Sequence, residues 1–469
     1  MMNIPDELKT TLEAHNQTHL IQWWYELHDS QRVSLLDQLE SIDWNEINHL
    51  LHDVEADDAS QQIERAKTAT PPETLVGLND QIWSEENRAD LRKRGETLLR
   101  NGKVGAIVVA GGQGSRLGFE HAKGLFPIGP ISNATLFDFL CGQIAALTKR
   151  YQVDIPYYIM TSDATHDEVT EAFRGHDWFG LSPNQVMFFK QGHMPAVDAE
   201  SGKLLLAAKD SLALSPDGHG GMVAALDKQG VLRDIEARGL EVVYYHQVDN
   251  PCVKMCDPEF LGLHRQMDSE MSTKVVRKVT PEEKMGLLVD IDGKTQIIEY
   301  SDFPEDLAAE TTADGRLKFW AGNTACHAFS FQFLKSLAAS ATALSFHKAS
   351  KKVSYIDETG MSQSPESPNA FKFEKFIFDA LPSAKVALVV ETSREREFNP
   401  VKNAEGSDSP ATSQAALERI WRSWLIAAGI EVGEDVRVEI QPSFALDEAD
   451  LIARKAEIGP PHAGKLLLK

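Results

Sequence analysis

Cysteine, positive charge and long apolar runs are all scarce in this chain. The 4 cysteines among 469 residues, Cys141, Cys252, Cys256 and Cys326, are too few and too scattered for a disulfide framework, and no second pair completes a zinc site. We interpret them as reduced residues that pack in the interior. Lys and Arg total 47 against 70 Asp and Glu, and the net charge of −23 makes the surface repel nucleic acid and anionic membranes.

No apolar stretch approaches the roughly 20 residues that cross a bilayer, and the first residues, MMNIPDELKT, lack the pattern of a signal peptide. We therefore expect a cytoplasmic protein, a monomer or weak homo-oligomer, that binds neither membranes nor nucleic acid. With so acidic a chain, an anionic substrate has to be met by a few placed cations.

The chain is long enough for two or three domains. Residues 1–102 have helical spacing and no strand-like run, so we predict a helical N-terminal region. From 103 to 385, apolar strand-like runs alternate with helical segments, which predicts an α/β domain with a doubly wound, mostly parallel sheet. Turn-rich sequence precedes a helix and short strands in 386–469, which predicts a small C-terminal α+β lobe. The predicted strands are 104–110, 156–161, 186–189, 242–248, 274–280, 286–291 and 296–300, and the predicted helices include 84–101, 134–149 and 371–381.

The most informative segment is VGAIVVAGGQGSRLG, residues 104–118. Its first part is nearly all small or β-branched, as in a strand that is covered on both faces. Gly111, Gly112 and Gly114 then allow the backbone to turn tightly and to bring N–H groups against phosphate oxygens. Arg116 adds a fixed positive charge. The segment predicts a triphosphate site.

Two common phosphate loops do not fit this segment. The dinucleotide fingerprint requires a third glycine where Leu117 stands, with Gly118 one place late. A P-loop requires Gly-Lys followed by Ser or Thr, but Phe119 follows Gly118. The glycine spacing therefore argues against a nicotinamide oxidoreductase. Tight binding of NADH would be needed to restore that interpretation.

The segments AGGQGSRLG and AKGLFPIG, the latter at 122–129, resemble the signature of nucleoside-triphosphate:sugar-phosphate transferases, and more narrowly that of the eukaryotic-type UDP-sugar pyrophosphorylases. Further resembling segments follow in the family's order, over roughly residues 75–403. The resemblance implies a Rossmann-like nucleotidyltransferase core, UTP and a sugar 1-phosphate as substrates, and Mg²⁺ as cofactor.

The resemblance also implies roles for the charged residues. Arg116 would grip the leaving pyrophosphate, and Lys123 would stabilise the transferred phosphoryl group. Asp249, at the end of VVYYHQVDN, would hold Mg²⁺, with Asn250 structural. Lys402, in EFNPVKN, would reach the phosphates. The competing interpretations are solvated surface cations and an Asx-turn aspartate ahead of a proline. The nucleotide contacts implied for the glycine turn are Ala110, Gly111, Gly112 and Gly114.

Two further segments resemble the family's uracil contacts. FFKQGHMPAV supplies Gln191 as a ligand of the uracil edge, and LSPDGHGGMV supplies Gly220 and Gly221 against the base. His219 could bond a phosphate or sugar hydroxyl, or be an idle exposed histidine in a glycine-rich turn.

Two segments resemble those that surround the sugar. Glu299, in IIEYSDFP, can accept hydrogen bonds from sugar hydroxyls, and Asn323, in AGNTACHAFS, offers both donor and acceptor. Gly286 would let the sugar ring approach the backbone. A strand-edge glutamate and a helix-capping asparagine are the alternatives.

Within the family, Gln113 points to the N-acetylhexosamine branch, because UDP-glucose enzymes carry leucine there. His219 and Cys326 depart from that branch, since it has asparagine and an amide at these positions. We predict a uridylyltransferase for N-acetylglucosamine 1-phosphate. UDP-glucose or broad UDP-sugar formation is the near alternative, and a non-catalytic UDP-sugar-binding regulator is the remote one, which the cations around the scissile bond oppose.

Overall fold

The computed structural model describes residues 3–52, 59–340 and 343–469. The chain divides into two compact units, each made from three stretches of sequence. The smaller unit consists of Met1–Glu64, Gln191–Met222 and Leu344–Asp379, and the larger of Arg65–Lys190, Val223–Ala343 and Ala380–Lys469. The smaller unit thus takes residues from two of the three regions expected from the sequence, 1–102 and 103–385. The division into 1–102, 103–385 and 386–469 stays a prediction.

Ten of the described strands form one sheet in the larger unit. In chain order they are β1 (Leu75–Val76), β2 (Val104–Val109), β3 (Tyr157–Thr161), β4 (Val186–Lys190), β5 (Val242–Gln247), β6 (Met271–Arg277), β7 (Leu287–Ile291), β8 (Lys294–Ile298), β9 (Ala321–Ser330) and β10 (Ala387–Glu391).

Their order across the sheet is β1-β10-β6-β9-β5-β2-β3-β4, and β7 pairs with both β8 and β9. Strand β9 is antiparallel to its neighbours β5 and β6, and the other adjacent pairs in this row are parallel. The predicted α/β class with a mixed, mostly parallel sheet is confirmed.

Strands β2 and β5 position the residues that the sequence singled out. Both are buried over almost their whole length, as expected for parallel strands covered on two faces. They pair in parallel with Val109 opposite Gln247. Because the carboxyl ends of parallel strands meet at one edge of a sheet, the glycine turn after β2 and Asp249 after β5 leave the sheet side by side.

The described helices of the larger unit alternate with these strands. They are Glu85–Arg100, Leu136–Tyr151, His166–Gly175, Val231–Ala237, Pro258–Gln266, Glu305–Ala308, Phe331–Ala338, Arg394–Glu397, Pro410–Ala427 and Glu448–Ala453, and two more, Ala59–Ala66 and Met222–Lys228, lie where the chain passes between the units. Leu136–Tyr151 begins at a capping box: the Thr135 side chain accepts from the Asp138 N–H, and Asp138 accepts from the Thr135 N–H.

The last part of the larger unit has a core of its own. Helix Pro410–Ala427 begins after Ser409, whose side chain caps it, and the parallel strands Arg437–Ile440 and Lys465–Leu468 follow. Trp421 and Val438 are buried in the same apolar cluster. A helix followed by short strands is what the sequence predicted for this stretch.

The smaller unit combines helices with short antiparallel strands. Its helices are Asp6–Ala14, Asp29–Glu40 and Trp44–His52, and its strands are His193–Pro195, Val197–Asp198, Leu206–Ala208, Ser211–Leu212, Leu214–Pro216, Phe346–Lys351, Tyr355–Ile356, Ser362–Gln363 and Ala370–Lys375. Trp24 from the helical stretch and Phe373 from a strand are both buried in one cluster, which explains why distant parts of the sequence share this unit.

Two predictions of secondary structure were wrong. Residues 371–381, expected as a helix, form the strand Ala370–Lys375 and then the 3₁₀ turn Ile377–Ser383. The strand pairs with Phe346–Lys351 and buries Phe373, so the alternation of Phe with Lys and Glu has the period of a strand. Strand β1 was missed in a region expected to have none, because its two residues are held only by pairing with β10.

The four cysteines are free and buried, as predicted. Among the described residues, none of the helices combines the length and the apolar composition that crossing a bilayer requires.

Candidate active site

The turn after β2 is held to the sheet through its carbonyl groups. The buried Ala110 donates its N–H to the Met160 carbonyl. The Gly111 carbonyl accepts from the Ser162 hydroxyl at 2.7 Å, and the Gly112 carbonyl accepts from the Lys123 N–H at 3.0 Å. Within the described part of the chain, the N–H groups of Gly111 and Gly112 have no acceptor. These two donors are therefore available to an anionic ligand.

A small hairpin completes the turn. Gln113–Gly114 pairs with Phe119–Ala122, and a Cβ on Gly114 would lie 2.8 Å from the Phe119 carbonyl oxygen, so only glycine fits there. Arg116 lies between the two strands and is exposed. Its guanidinium makes no ion pair with any residue in the described ranges. A cation is thus presented to solvent from a fixed backbone.

Asp249, Lys123 and Lys402 form a cluster of charge beside this turn. The Val248 N–H donates to the Val109 carbonyl at 3.2 Å, which places the next residue, Asp249, at the level where the glycine turn begins. The Lys123 ammonium lies 3.2 Å from a carboxylate oxygen of Asp249, and both side chains are mostly buried. Burial by itself would raise the pKa of Asp249, but Lys123 and Lys402 outweigh it and hold that pKa below its usual value. The carboxylate is therefore ionised at neutral pH.

Asn250 ties the segment that carries Lys402 to the segment that carries Asp249. Its side-chain N–H donates to the Glu397 carbonyl at 2.7 Å, and its side-chain oxygen accepts from the Asn399 N–H. The Val401 N–H donates to the Asp249 carbonyl at 2.8 Å. Asn250 has the structural environment expected from the sequence, and Lys402 follows directly on the anchored backbone.

Gly286, Glu299 and Asn323 come together near the junction of β7 and β9. The Asn323 N–H donates to the Gly286 carbonyl at 2.9 Å, and a Cβ on Gly286 would lie 3.1 Å from a Glu299 carboxylate oxygen. Asn323 begins a bulge in β9, where its side-chain oxygen accepts from the Ala325 N–H and Ala325 has a φ of 56°. Gly286 and the side chains of Glu299 and Asn323 thus lie close to one another at this junction.

The remaining predicted residues lie in the smaller unit. Gln191 donates its side-chain N–H to the Gly218 carbonyl at 2.7 Å. Gly218 has a φ of 82°, and a Cβ there would lie 2.3 Å from the Lys375 carbonyl oxygen; Cβ atoms on Gly220 and Gly221 would likewise lie within 2.6 Å of neighbouring atoms. The glycines let this loop pack directly on the strand Ala370–Lys375 and on the side chain of Asp217.

His219 is half-buried and hydrogen-bonded, and is not an exposed side chain. Its ring is half-buried against Phe376 and Phe378, and its Nδ1 accepts from the Ile377 N–H at 3.1 Å. Burial, with the nearby His347, lowers the pKa of His219 to about 4. The ring is therefore neutral at pH 7, and because Nδ1 accepts, the proton lies on Nε2 and makes that atom a donor.

The predicted residues thus form two sets, one in each unit. The larger unit holds the glycine turn, the charge cluster and the group around Asn323, and the smaller unit holds Gln191 with the loop that contains His219. The sequence analysis missed Ser162 and Thr165, whose hydroxyls hold the Gly111 carbonyl. Their position in the sequence could have identified them, because they follow β3 directly and so lie at the same edge of the sheet as the glycine turn.

No group of three or more His, Cys, Asp or Glu side chains suited to a metal occurs within residues 3–52, 59–340 and 343–469. Asp249 is the carboxylate that lies beside the glycine turn, 3.2 Å from the Lys123 ammonium. One carboxylate suits Mg²⁺, which usually takes one or two from the protein and its other ligands from phosphates and water.

These features define the class of protein, an α/β nucleotidyltransferase whose candidate phosphate contacts lie at one edge of the sheet. The model of the family described as UTP–glucose-1-phosphate uridylyltransferase matches residues 45–409. The chain belongs to this family, as the sequence motifs predicted.

Relatives match almost the whole chain. It is 34% identical over 464 residues to the UDP-N-acetylhexosamine pyrophosphorylase-like protein 1 of Xenopus tropicalis, covering 96% of this chain and 90% of that protein. It is 34% identical over 469 residues to the UDP-N-acetylglucosamine pyrophosphorylase of Saccharomyces cerevisiae, covering 97% and 98%. The crystal structure of the uridine diphosphate N-acetylglucosamine pyrophosphorylase from Trypanosoma brucei aligns with a TM-score of 0.83 at 23% identity, over 100% and 99% of the chains, and shares the fold.

Proposed function

We propose that this chain transfers a uridylyl group reversibly from UTP to a hexose 1-phosphate, and that N-acetylglucosamine 1-phosphate is the favoured acceptor. The products are UDP-N-acetylglucosamine and pyrophosphate. The observation that carries the proposal is the contact of 3.2 Å between Lys123 and Asp249, beside a glycine turn with free N–H donors. The family and the names of the relatives support the same reaction.

In this reaction an oxygen of the sugar 1-phosphate attacks the α-phosphorus of UTP, and pyrophosphate leaves in line. Catalysis then depends on positioning and on neutralising charge. We assign the N–H groups of Gly111 and Gly112 to the triphosphate, and Arg116 to the leaving pyrophosphate. Lys123 and Lys402 hold positive charge against the transferred phosphoryl group.

We assign Mg²⁺ to Asp249. The carboxylate fits this ion because it is ionised, supplies hard oxygen atoms and lies beside the turn that would hold the phosphates. When bound, Mg²⁺ would neutralise part of the charge of the phosphates. Lys123 would share this carboxylate with the ion and so keep its ammonium aligned with the reacting phosphate.

We assign the uracil to Gln191, Gly220 and Gly221, and the sugar to Gly286, Glu299 and Asn323. Gln191 uses its N–H group to hold the Gly218 carbonyl, which leaves its side-chain oxygen for the uracil edge. His219 can donate only through Nε2, so its partner must be an acceptor such as a phosphate or a sugar hydroxyl. Four buried free cysteines fit a reducing compartment, and we propose the cytoplasm.

Exchange of labelled pyrophosphate into UTP tests the reaction, with UDP-N-acetylglucosamine, UDP-N-acetylgalactosamine, UDP-glucose and UDP-galactose supplied in turn. We expect exchange with all that bind and the fastest exchange with UDP-N-acetylglucosamine. Fastest exchange with UDP-glucose would establish the alternative that His219 and Cys326 favour. A protein that binds a UDP-sugar but exchanges nothing would be a regulator, and the proposed activity would be wrong.

Gly112→Ala is expected to raise the KM for UTP about tenfold, the equivalent of roughly 1.4 kcal/mol of binding, with little change in Tm. A Cβ at this position meets no atom within 4 Å, so the protein should fold, while the methyl group stands where phosphate oxygens would approach. Gly175→Ala, also in open space, is the control and should change neither value. Steady-state kinetics with an unchanged KM for UTP would exclude Gly112 from the phosphate site.

Asn323→Ala is expected to raise the KM for the sugar 1-phosphate roughly tenfold and to leave the KM for UTP almost unchanged. The reason is that a side chain that hydrogen-bonds the sugar contributes about 1–2 kcal/mol to its binding. Thr324→Val, in the same bulge, removes the hydroxyl that donates to the Lys274 carbonyl and reports any effect of loosening the bulge alone. If both variants raised both KM values equally, Asn323 would have no specific role toward the sugar.

A further inference from the structure

A buried lysine lies outside every set of residues that the sequence selected. Lys274 is on β6, and its side chain is only 3% exposed. Its ammonium lies 3.0 Å from a carboxylate oxygen of Asp257 and 2.6 Å from a carboxylate oxygen of Glu397. Lys254 approaches the other oxygen of Asp257 at 2.8 Å. We call Lys274, Asp257 and Glu397 the Lys274 network.

The charges of this network are strongly coupled. Burial by itself would lower the pKa of Lys274, but Glu397 and Asp257 outweigh it and raise that pKa. Burial would raise the pKa of Asp257, and Lys254 and Lys274 reverse this and lower it. Lys274 is therefore an ammonium that joins two carboxylates at neutral pH.

The two carboxylates belong to the two segments that carry the charge cluster of the candidate site. Asp257 ends the segment 249–257, which begins with Asp249. Glu397 begins the segment 397–402, which ends with Lys402. The segments also touch through the Val401 N–H, which donates to the Asp249 carbonyl at 2.8 Å. Asn250 also joins the two segments, since its side chain bonds the Glu397 carbonyl and the Asn399 N–H. Lys274 adds a link through the side chains of Asp257 and Glu397, which are the residues of each segment farthest along the chain from Asp249 and Lys402.

The main chain of Lys274 reaches the third part of the site. Its carbonyl accepts from the Thr324 hydroxyl at 2.7 Å, inside the bulge that Asn323 begins. One residue therefore contacts the segment of Asp249, the segment of Lys402 and the bulge of Asn323.

We propose that Lys274 is a positioning residue that clamps the segment 249–257 to the segment 397–402, and so fixes Asp249 and Lys402 relative to each other. The inference rests on the proposed function, because it assumes that these two side chains act on the phosphates. Lys274 itself touches neither substrate.

Stability alone does not account for this network. A buried ion pair loses so much hydration that well-packed apolar residues often serve the fold equally well. The network also lines a cleft of about 920 Å³. Lys274→Met leaves two carboxylates without their cation and should lower Tm, whereas a variant that neutralises the whole network should have a Tm closer to that of the wild type. A loss of kcat that persists in the second variant reports on geometry.

The test compares Lys274→Met, Lys274→Arg and the triple variant Lys274→Met/Asp257→Asn/Glu397→Gln, which leaves no buried carboxylate without a cation. Lys254 loses Asp257 in the triple variant, but its side chain is 46% exposed, so water can solvate its charge. Arg150→Met is the matched control, because Arg150 lines the same cleft and pairs with Asp447 at 2.8 Å and Asp450 at 2.5 Å, and none of these three residues belongs to either segment. Each protein is measured for Tm, for kcat and KM, and for hydrogen exchange of the main-chain amides in the ligand-free state.

We expect kcat to fall at least tenfold in Lys274→Met and in the triple variant, with KM values within about threefold, and Lys274→Arg to recover part of the loss. The Val401 amide should exchange at least tenfold faster in both Met variants and not in Arg150→Met. Recovery of kcat with Tm in the triple variant, or unchanged exchange of Val401, would overturn the inference. An inactive wild-type protein would instead overturn the proposed function, and the exchange data would still decide whether Lys274 clamps the segments.

Discussion

Lys123→Ala is expected to reduce kcat by roughly 100-fold or more, the equivalent of about 2.7 kcal/mol of transition-state stabilisation. The reason is local. The Lys123 ammonium lies 3.2 Å from Asp249 and is mostly buried, so its charge is poorly screened at the position where the transferred phosphoryl group would gain charge. The Lys123 N–H still donates to the Gly112 carbonyl in the variant, so the glycine turn keeps its shape. The loss should appear in kcat more than in the KM for UTP.

The same substitution should alter the dependence on pH. Lys123 is one of two cations that hold the pKa of Asp249 below its usual value. The ionised carboxylate is lost as the pH falls through its pKa, and without Lys123 that pKa rises. The acidic limb of the pH–rate profile should therefore move to higher pH in Lys123→Ala.

Two controls separate charge from other effects. Lys149→Ala removes an exposed lysine of helix Leu136–Tyr151 and should leave kcat unchanged. Lys123→Arg keeps the charge and should retain more activity than Lys123→Ala. A wild-type rate in Lys123→Ala, at unchanged Tm, would exclude Lys123 from the chemical step.

The arrangement of the sheet around the candidate site could be predicted from the sequence because it depends on local patterns. The apolar runs of β2 and β5 mark buried parallel strands, and the residues that follow such strands leave at one edge of the sheet. That rule alone brings Asp249 beside the glycine turn, although 138 positions separate Asp249 from Gly111 along the chain.

What could not be predicted depends on contacts between distant residues. The strand Ala370–Lys375 pairs with Phe346–Lys351, and its short alternation of Phe with Lys and Glu did not identify it without that partner. The Lys274 network joins residues on β6, at the start of Pro258–Gln266 and at the end of Arg394–Glu397. No spacing in the sequence predicts such a network, because its members are distant along the chain and come together only in the folded structure.

His219 illustrates a third kind of limit. Its glycine-rich surroundings left an exposed side chain open as an alternative, but the same glycines let the loop lie directly on the strand Ala370–Lys375, and this packing half-buries the ring. Glycines, which in a sequence usually indicate a flexible loop, thus allow close packing in the structure.

The charge cluster resolves the difficulty that the acidic composition raised. A chain with a net charge of −23 must bind a triphosphate and a sugar phosphate. Lys123 and Lys402 lie beside Asp249, the Asp408 carboxyl is also near Lys402, and Arg116 adds a third cation on the adjoining hairpin. The local excess of positive charge, strengthened by partial burial, can attract anions even though the whole surface repels them.

Asp249→Asn is expected to reduce kcat by at least about 100-fold at saturating substrates, because it removes the carboxylate that we assign to Mg²⁺ and that aligns Lys123. The amide is nearly isosteric, so the backbone bond from Val401 to the residue 249 carbonyl should persist. The variant should also need a higher Mg²⁺ concentration for half-maximal rate, since a neutral amide oxygen is a weaker ligand than a carboxylate.

Asp234→Asn is the matched control for this substitution, because Asp234 also pairs with a cation, Arg238 at 2.7 Å, in the same unit and outside the candidate site. Its kcat and its Mg²⁺ dependence should equal those of the wild type. If Asp249→Asn kept a wild-type rate and an unchanged Mg²⁺ titration, the ion would have to be held elsewhere. The pair of Lys123 with Asp249 would then serve the fold and not the chemistry.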